Sequence, residues 1–256
     1  MSKIKFNKIK IITVAKVGSA NFISCKYSQL IHNKMNIDIF HGHSLLTLKN
    51  TLEKDSNCLI IVGIRNPIDR NLSYLFQTSS VSRPVNYKTD VKIKKNNYIG
   101  DPAFIPNIFY IKDGKKVFNT SNTIIDLYFK KQYDYHNIFN DWFNEFLDIT
   151  KINDFNRDKG VDFYKFPNNN NMMFYTLEKL DENTEYIKQQ LGIMSDIKNR
   201  NGAEVCKRDY LEIYNEVKQK IVYKKEYLDN LLNTNIMDLF YNKNDISSFY
   251  SKYKTI

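Results

Sequence analysis

The 256-residue sequence predicts an α/β fold: a doubly wound, mainly parallel sheet with flanking helices and a helical C-terminal region. Three observations predict it. Short β-branched runs alternate with stretches of helical periodicity, the order that builds parallel sheets. The clearest run, Leu59–Ile64 (LIIVGI), is apolar throughout, as a strand covered on both faces must be. From Asp209 to Lys254 the apolar residues keep helical spacing, which predicts two or three closing helices.

The first predicted strand is Ile9–Val14, a β-branched run beside Lys10 and Lys16. Phe22, Ile23, Tyr27, Leu30 and Ile31 then repeat at helix spacing. Ile37–Phe40 is a second short strand, ending in His41-Gly42-His43, and Ser44–Lys54 is helical. Leu59–Ile64 runs into Arg65-Asn66-Pro67, and Ile68, Leu72, Leu75 and Phe76 mark a helix with Pro67 in its first turn. From about residue 78 to 132 the pattern dissolves into Ser, Asn, Lys and Pro with scattered aromatics, an insertion or lid within a single domain spanning 1–256. Order returns with the amphipathic Asn137–Ile149, then strands Val161–Phe166 and Met172–Thr176 and a helix over Glu185–Leu191.

Composition bounds the function. No apolar run approaches the roughly 18–20 residues of a membrane span. The N-terminal apolar core is too short for a secretory signal. Cys25, Cys58 and Cys206 form neither a disulfide framework nor a metal-ligand spacing, so a reducing, cytoplasmic setting is expected. The net charge of +10 comes from 32 Lys and only 6 Arg, in a chain with 32 Asn and 4 Ala. Much of it is therefore solvated lysine, and each arginine is more informative than each lysine. With 8 Gly and 5 Pro, Asn must take many turns, which its tolerance of left-handed backbone allows.

Two segments carry chemistry. Between the first strand and its helix lies Ala15-Lys16-Val17-Gly18-Ser19-Ala20-Asn21. Backbone N–H groups and the helix dipole favour an anion there; small residues let it approach, and Lys16 adds a charge. The run lacks the GxxxxGK[ST] of a nucleotide triphosphate loop and the glycines of a dinucleotide fingerprint. Alone it reads equally well as a plain β–α turn with a surface lysine. The second segment is RNPIDRNLS: Arg65 leaves the end of a central strand and Ser73 follows eight residues later. In an open α/β sheet ligands bind at that edge, and an Arg fork with a hydroxyl suits a phosphate monoester. The competing reading has Arg65 capping a helix or pairing with Asp69.

Together these residues resemble the sulfotransferases that use 3′-phosphoadenosine 5′-phosphosulfate, in particular bacterial members of carbohydrate and capsular polysaccharide biosynthesis. The family loop PK-[ST]-G-[ST]-[ST] stands here as Ala15–Ala20, and its strand-end Arg with a Ser eight residues on stands as Arg65 and Ser73. Its catalytic His lies about twenty residues before that Arg; His43 lies 22 before Arg65. FYTLEKL (Phe174–Leu180) is similar to the family's FYEDL. The likeness covers most of the chain outside 78–132. It departs at Ala15 and Ala20, and the C-terminal Arg-Lys-Gly loop has only Arg200-Asn201-Gly202 as a substitute.

The resemblance implies a P-loop-like sulfotransferase fold and transfer of a sulfuryl group to a carbohydrate hydroxyl, with adenosine 3′,5′-bisphosphate as product and no metal. It implies His43 as base, with Lys16 and His41 stabilising charge. Donor contacts fall to Lys16, Val17, Gly18, Ser19, Ala20, Asn21, Arg65, Ser73, Tyr175 and Arg200. Residues 88–131 hold nine Lys and four Asp among aromatics, which suits an acidic or lipid-linked glycan and peripheral contact with the inner membrane face; a solvated loop is the equal alternative. The competing functions are a nucleotide-dependent kinase or glycosyltransferase on a similar sheet, a basic RNA-binding protein and a non-catalytic family member. No recognised RNA-binding motif is present, and no nucleic acid partner is expected.

Overall fold

The computed structural model describes residues 4–14, 38–81, 108–130, 135–192 and 209–256. Among them one five-stranded mixed sheet is built from β1 (Lys8–Ile12), β2 (Asp38–Gly42), β3 (Cys58–Ile64), β6 (Val161–Lys165) and β7 (Asn171–Thr176). The order is β2-β1-β3-β7-β6. β2, β1, β3 and β7 are mutually parallel, while β6 pairs antiparallel to β7. That edge is antiparallel because β6 and β7 are joined by a short turn, for which no crossover is needed. Asn168 and Asn169 take positive φ there (60° and 56°), as the Asn-rich composition predicts.

Alternation along the strands supplies two cores. Cys58, Ile60, Val62 and Ile64 face one side with Ile12, Met172 and Phe174; Leu59 and Ile61 face the other with Ile9, Ile11 and Met173. The first side is covered by α1 (Leu45–Lys54), α2 (Pro67–Val81) and α4 (Tyr135–Thr150). The short C-terminal helices α6 (Leu211–Lys220), α7 (Lys225–Leu232), α8 (Asn235–Phe240) and α9 (Lys243–Lys252) complete it. The Phe240 ring stacks on Phe174 with centroids 4.3 Å apart. The second side is covered by α5 (Thr184–Leu191) through Ile187 and Leu191. Gly192 ends α5 in the left-handed conformation that glycine adopts without a Cβ penalty.

Two expectations are modified. The helix from Pro67 runs on to Val81, beyond the fading of its apolar pattern. Within 78–132, described residues form a hairpin, β4 (Phe109–Lys112) with β5 (Lys115–Phe118), followed by α3 (Ser121–Tyr128). Ile108, Ile124 and Tyr128 are fully buried in the main core, so residues 108–130 are integral to the domain. The strands are four residues each and the helix eight, too short a window for either period to be read from the sequence. No helix among the described residues is long and apolar enough to cross a membrane.

Candidate functional site at the carboxyl edge of the sheet

The neighbours of β1 are β2 on one side and β3 on the other, so the chain reverses its direction of growth across the sheet at β1. Such a switch point opens a crevice beyond the carboxyl ends of the strands. The residues that leave those ends are Thr13 after β1, His43 after β2, Arg65 and Asn66 after β3, and Glu178 just beyond β7.

His43 is exposed, but its position is fixed twice. Its Nδ1 lies 2.5 Å from the Thr13 carbonyl oxygen. A carbonyl can only accept, so Nδ1 carries the proton and the neutral ring has its lone pair on Nε2. Trp142 Nε1 donates to the His43 carbonyl at 2.9 Å from within the core, where the indole is 1% exposed. The Thr13 N–H in turn donates to the Gly42 carbonyl at 3.2 Å, carrying the β1–β2 pairing to the edge.

Across β1, Asn66 caps α2: its Oδ1 accepts from the Ile68 N–H at 2.9 Å, and Pro67 occupies the first helical position, where no N–H is needed. Glu178 ties this turn to β7 and α8. Its Oε1 accepts from the Asn66 N–H and its Oε2 from the Tyr241 hydroxyl, each at 2.8 Å. Glu178 is exposed as a residue, with its two carboxylate oxygens turned to Asn66 and Tyr241. Burial pushes its carboxyl above the ordinary glutamate range, against the Asn66 N–H, the Tyr241 hydroxyl and the charge of Arg65. Asp69, one turn into α2, behaves oppositely. Burial would raise it, but the Lys252 ammonium that bonds it and the nearby Arg65 and Lys218 hold it below the ordinary aspartate range. Arg65 is half-buried and acts on both carboxylates. Ser73 lies further along α2, also half-buried.

Two polar atoms at this edge have no hydrogen-bond partner among the described residues, Thr13 Oγ1 and Asn66 Nδ2, although their residues are 0% and 1% exposed. Buried polar groups are nearly always satisfied, so orphans flanking a ligand crevice mark places for a ligand atom or water.

The expected site residues thus divide. His43 and Arg65 directly follow the carboxyl ends of β2 and β3, and Ser73 lies in the second turn of α2. Lys16, Val17, Gly18, Ser19, Ala20, Asn21 and Arg200 lie outside the described residues. The His41 backbone is in register with Ile11 on β1; its side chain lies outside the description. Tyr175 is fully buried, with its ring against Gly63 where a Cβ would come within 2.4 Å of it. The sequence reading missed Thr13, Asn66 and Glu178. Glu178 was findable, since it lies in FYTLEKL directly after a predicted strand; the Thr13 contact depends on pairing between distant segments. Among the described residues no group of His, Cys, Asp and Glu could hold a metal ion.

Comparison with models of known protein families, with curated proteins and with solved structures finds no match.

Proposed function

We propose that the chain is a sulfotransferase that moves a sulfuryl group from 3′-phosphoadenosine 5′-phosphosulfate to a hydroxyl of a carbohydrate, of the kind found in capsular or surface polysaccharides and their precursors. The observation that carries the reading is the Nδ1–Thr13 contact, because it leaves the His43 lone pair on Nε2, the arrangement a general base needs. The strand order supports it too. β1 ends between β2, which His43 follows, and β3, which Arg65 follows, so a base and a cation flank the crevice in which a donor with a reactive end and a second phosphate would lie. Thr13 Oγ1 and Asn66 Nδ2 are suitable further donors of hydrogen bonds to its oxygens.

In this reading the acceptor oxygen attacks sulfur while its proton passes to His43 Nε2. The bond from sulfur to the bridging phosphate oxygen breaks, and that oxygen leaves with the electron pair on adenosine 3′,5′-bisphosphate. The new bond is a sulfate ester. Little covalent chemistry is asked of the protein, so positioning and charge stabilisation dominate, as in phosphoryl transfer. Lys16 neutralises the leaving oxygen, and Arg65 with Ser73 holds the far phosphate.

The test is thermal stabilisation by adenosine 3′,5′-bisphosphate against ATP, GTP and RNA. Selective stabilisation by the bisphosphate, lost in Arg65→Ala, is expected. No stabilisation at millimolar bisphosphate, or equal stabilisation by ATP, overturns the reading.

A further inference from the structure

A cavity of about 210 Å³ lies against α2, between the end of α6 and the last residues of the chain. Its wall carries Lys218, Lys252 and Lys254, and among the described residues the only carboxylate in it is Asp69. Two segments distant in sequence therefore bring three ammonium groups to one concavity, facing a single compensating charge from a third. The C-terminal lysines are held in place. The Tyr223 N–H donates to the Lys254 carbonyl at 2.8 Å, the Ile256 N–H donates back to the Tyr223 carbonyl at 3.1 Å, and Lys254 Nζ donates to the Gln219 carbonyl at 2.6 Å. Lys252 bonds Asp69, while Lys218 lies 5.6 Å from the Tyr214 ring centroid. Arg65 adds a further positive charge near Asp69. The Tyr253 hydroxyl, buried in the same wall, faces the Asp69 carboxylate.

Like charges converge in a concavity only at a cost, which an anion relieves. The volume is below the roughly 300–1,000 Å³ of a site for a whole drug-sized molecule, so it suits a terminal group. We propose that this cavity binds a phosphate or sulfate group, held by Lys218 and Lys254, with Lys252 shared between the anion and Asp69. The cavity adjoins the sheet-edge site through Asp69 and Arg65, but the proposal does not depend on sulfuryl transfer there. The group has two possible sources, an acidic saccharide or a nucleotide.

Equilibrium dialysis of the full chain with labelled inorganic phosphate at constant ionic strength tests it. Saturable binding is expected, weakened at least about tenfold in Lys218→Ala/Lys254→Ala and retained in Lys218→Arg/Lys254→Arg. Circular dichroism confirms that the variants are folded. Displacement of the phosphate by a sulfated disaccharide assigns the cavity to an acidic saccharide, and displacement by adenosine 3′,5′-bisphosphate alone assigns it to a nucleotide; both support an anion site. Absence of saturable binding, or binding kept in the double alanine variant, overturns it.

Discussion

The imidazole of His43 is held through its ring by the Thr13 carbonyl and through its own carbonyl by Trp142, so its exposure to solvent does not imply freedom. A base fixed in this way must be neutral to act. Transfer should therefore decline as acid protonates the ring, when chemistry limits the rate. A pH–rate profile flat from about pH 5 to 8 counts against the role. Glu178 makes a different prediction. Removing its carboxylate in Glu178→Ala leaves the Asn66 N–H and the Tyr241 hydroxyl without their acceptor, which should cost about 1–3 kcal/mol in urea unfolding. At this scale the sequence was informative where a side chain follows directly from a strand end, as Arg65 and His43 do. Scarcity alone does not assign a role. Arg70, five residues after Arg65, is fully buried, bonded to Asn71 and lying near the Tyr74 and Phe139 rings.

Among the elements, β3 was legible because burial on both faces forces an apolar residue at every position, a signal that no partner can disguise. The hairpin and α3 within 108–130 were not, because two four-residue strands and an eight-residue helix are each too short a window for a period to be read. The link between elements was equally hidden. Asn170 is fully buried between β6 and β7; its Oδ1 accepts from the Cys58 N–H at 3.0 Å, and its Nδ2 lies 3.0 Å from the Asp55 carbonyl. One amide thus joins the start of β3, the end of α1 and the β6–β7 turn. Asn170→Ala should destabilise by about 2–4 kcal/mol, since it strands buried backbone groups on two segments. A conservative loss below about 0.5 kcal/mol, the range of ordinary surface changes, contradicts that role. Gly63→Ala is expected to destabilise as well, because the rigid Tyr175 ring occupies the space of the new methyl group.

For the whole molecule, the net charge of +10 resolves into local arrangements. Lys8 and Lys10 pair with Asp55 on β1's own face of the sheet, Lys10 at 2.5 Å, and Lys179 pairs with Asp245 at 2.7 Å. The Lys10 hydrogen bond holds the Asp55 carboxyl below its ordinary range, outweighing burial, with Lys8 assisting. A depressed carboxyl stabilises the fold above the unfolded value, about 3.9, and that contribution is lost as pH falls through the folded value. Asp55→Asn should therefore lower the urea midpoint at neutral pH and flatten its decline toward acid; an unchanged acid limb contradicts the pairing. Glu178 has the reverse sign, since a raised carboxyl favours the fold on protonation. The two-sided sheet and its switch point join these charges to the proposed chemistry, which rests on His43 and Arg65 lying on opposite sides of β1. The most direct measurement is sulfate-ester formation from sulfur-labelled 3′-phosphoadenosine 5′-phosphosulfate and a panel of surface-polysaccharide oligosaccharides, with wild type beside His43→Ala. Label transfer by the wild type, reduced at least about a hundredfold in His43→Ala while bisphosphate binding persists, is the predicted result. No transfer to any acceptor by a protein that stays folded and binds no bisphosphate would contradict the account.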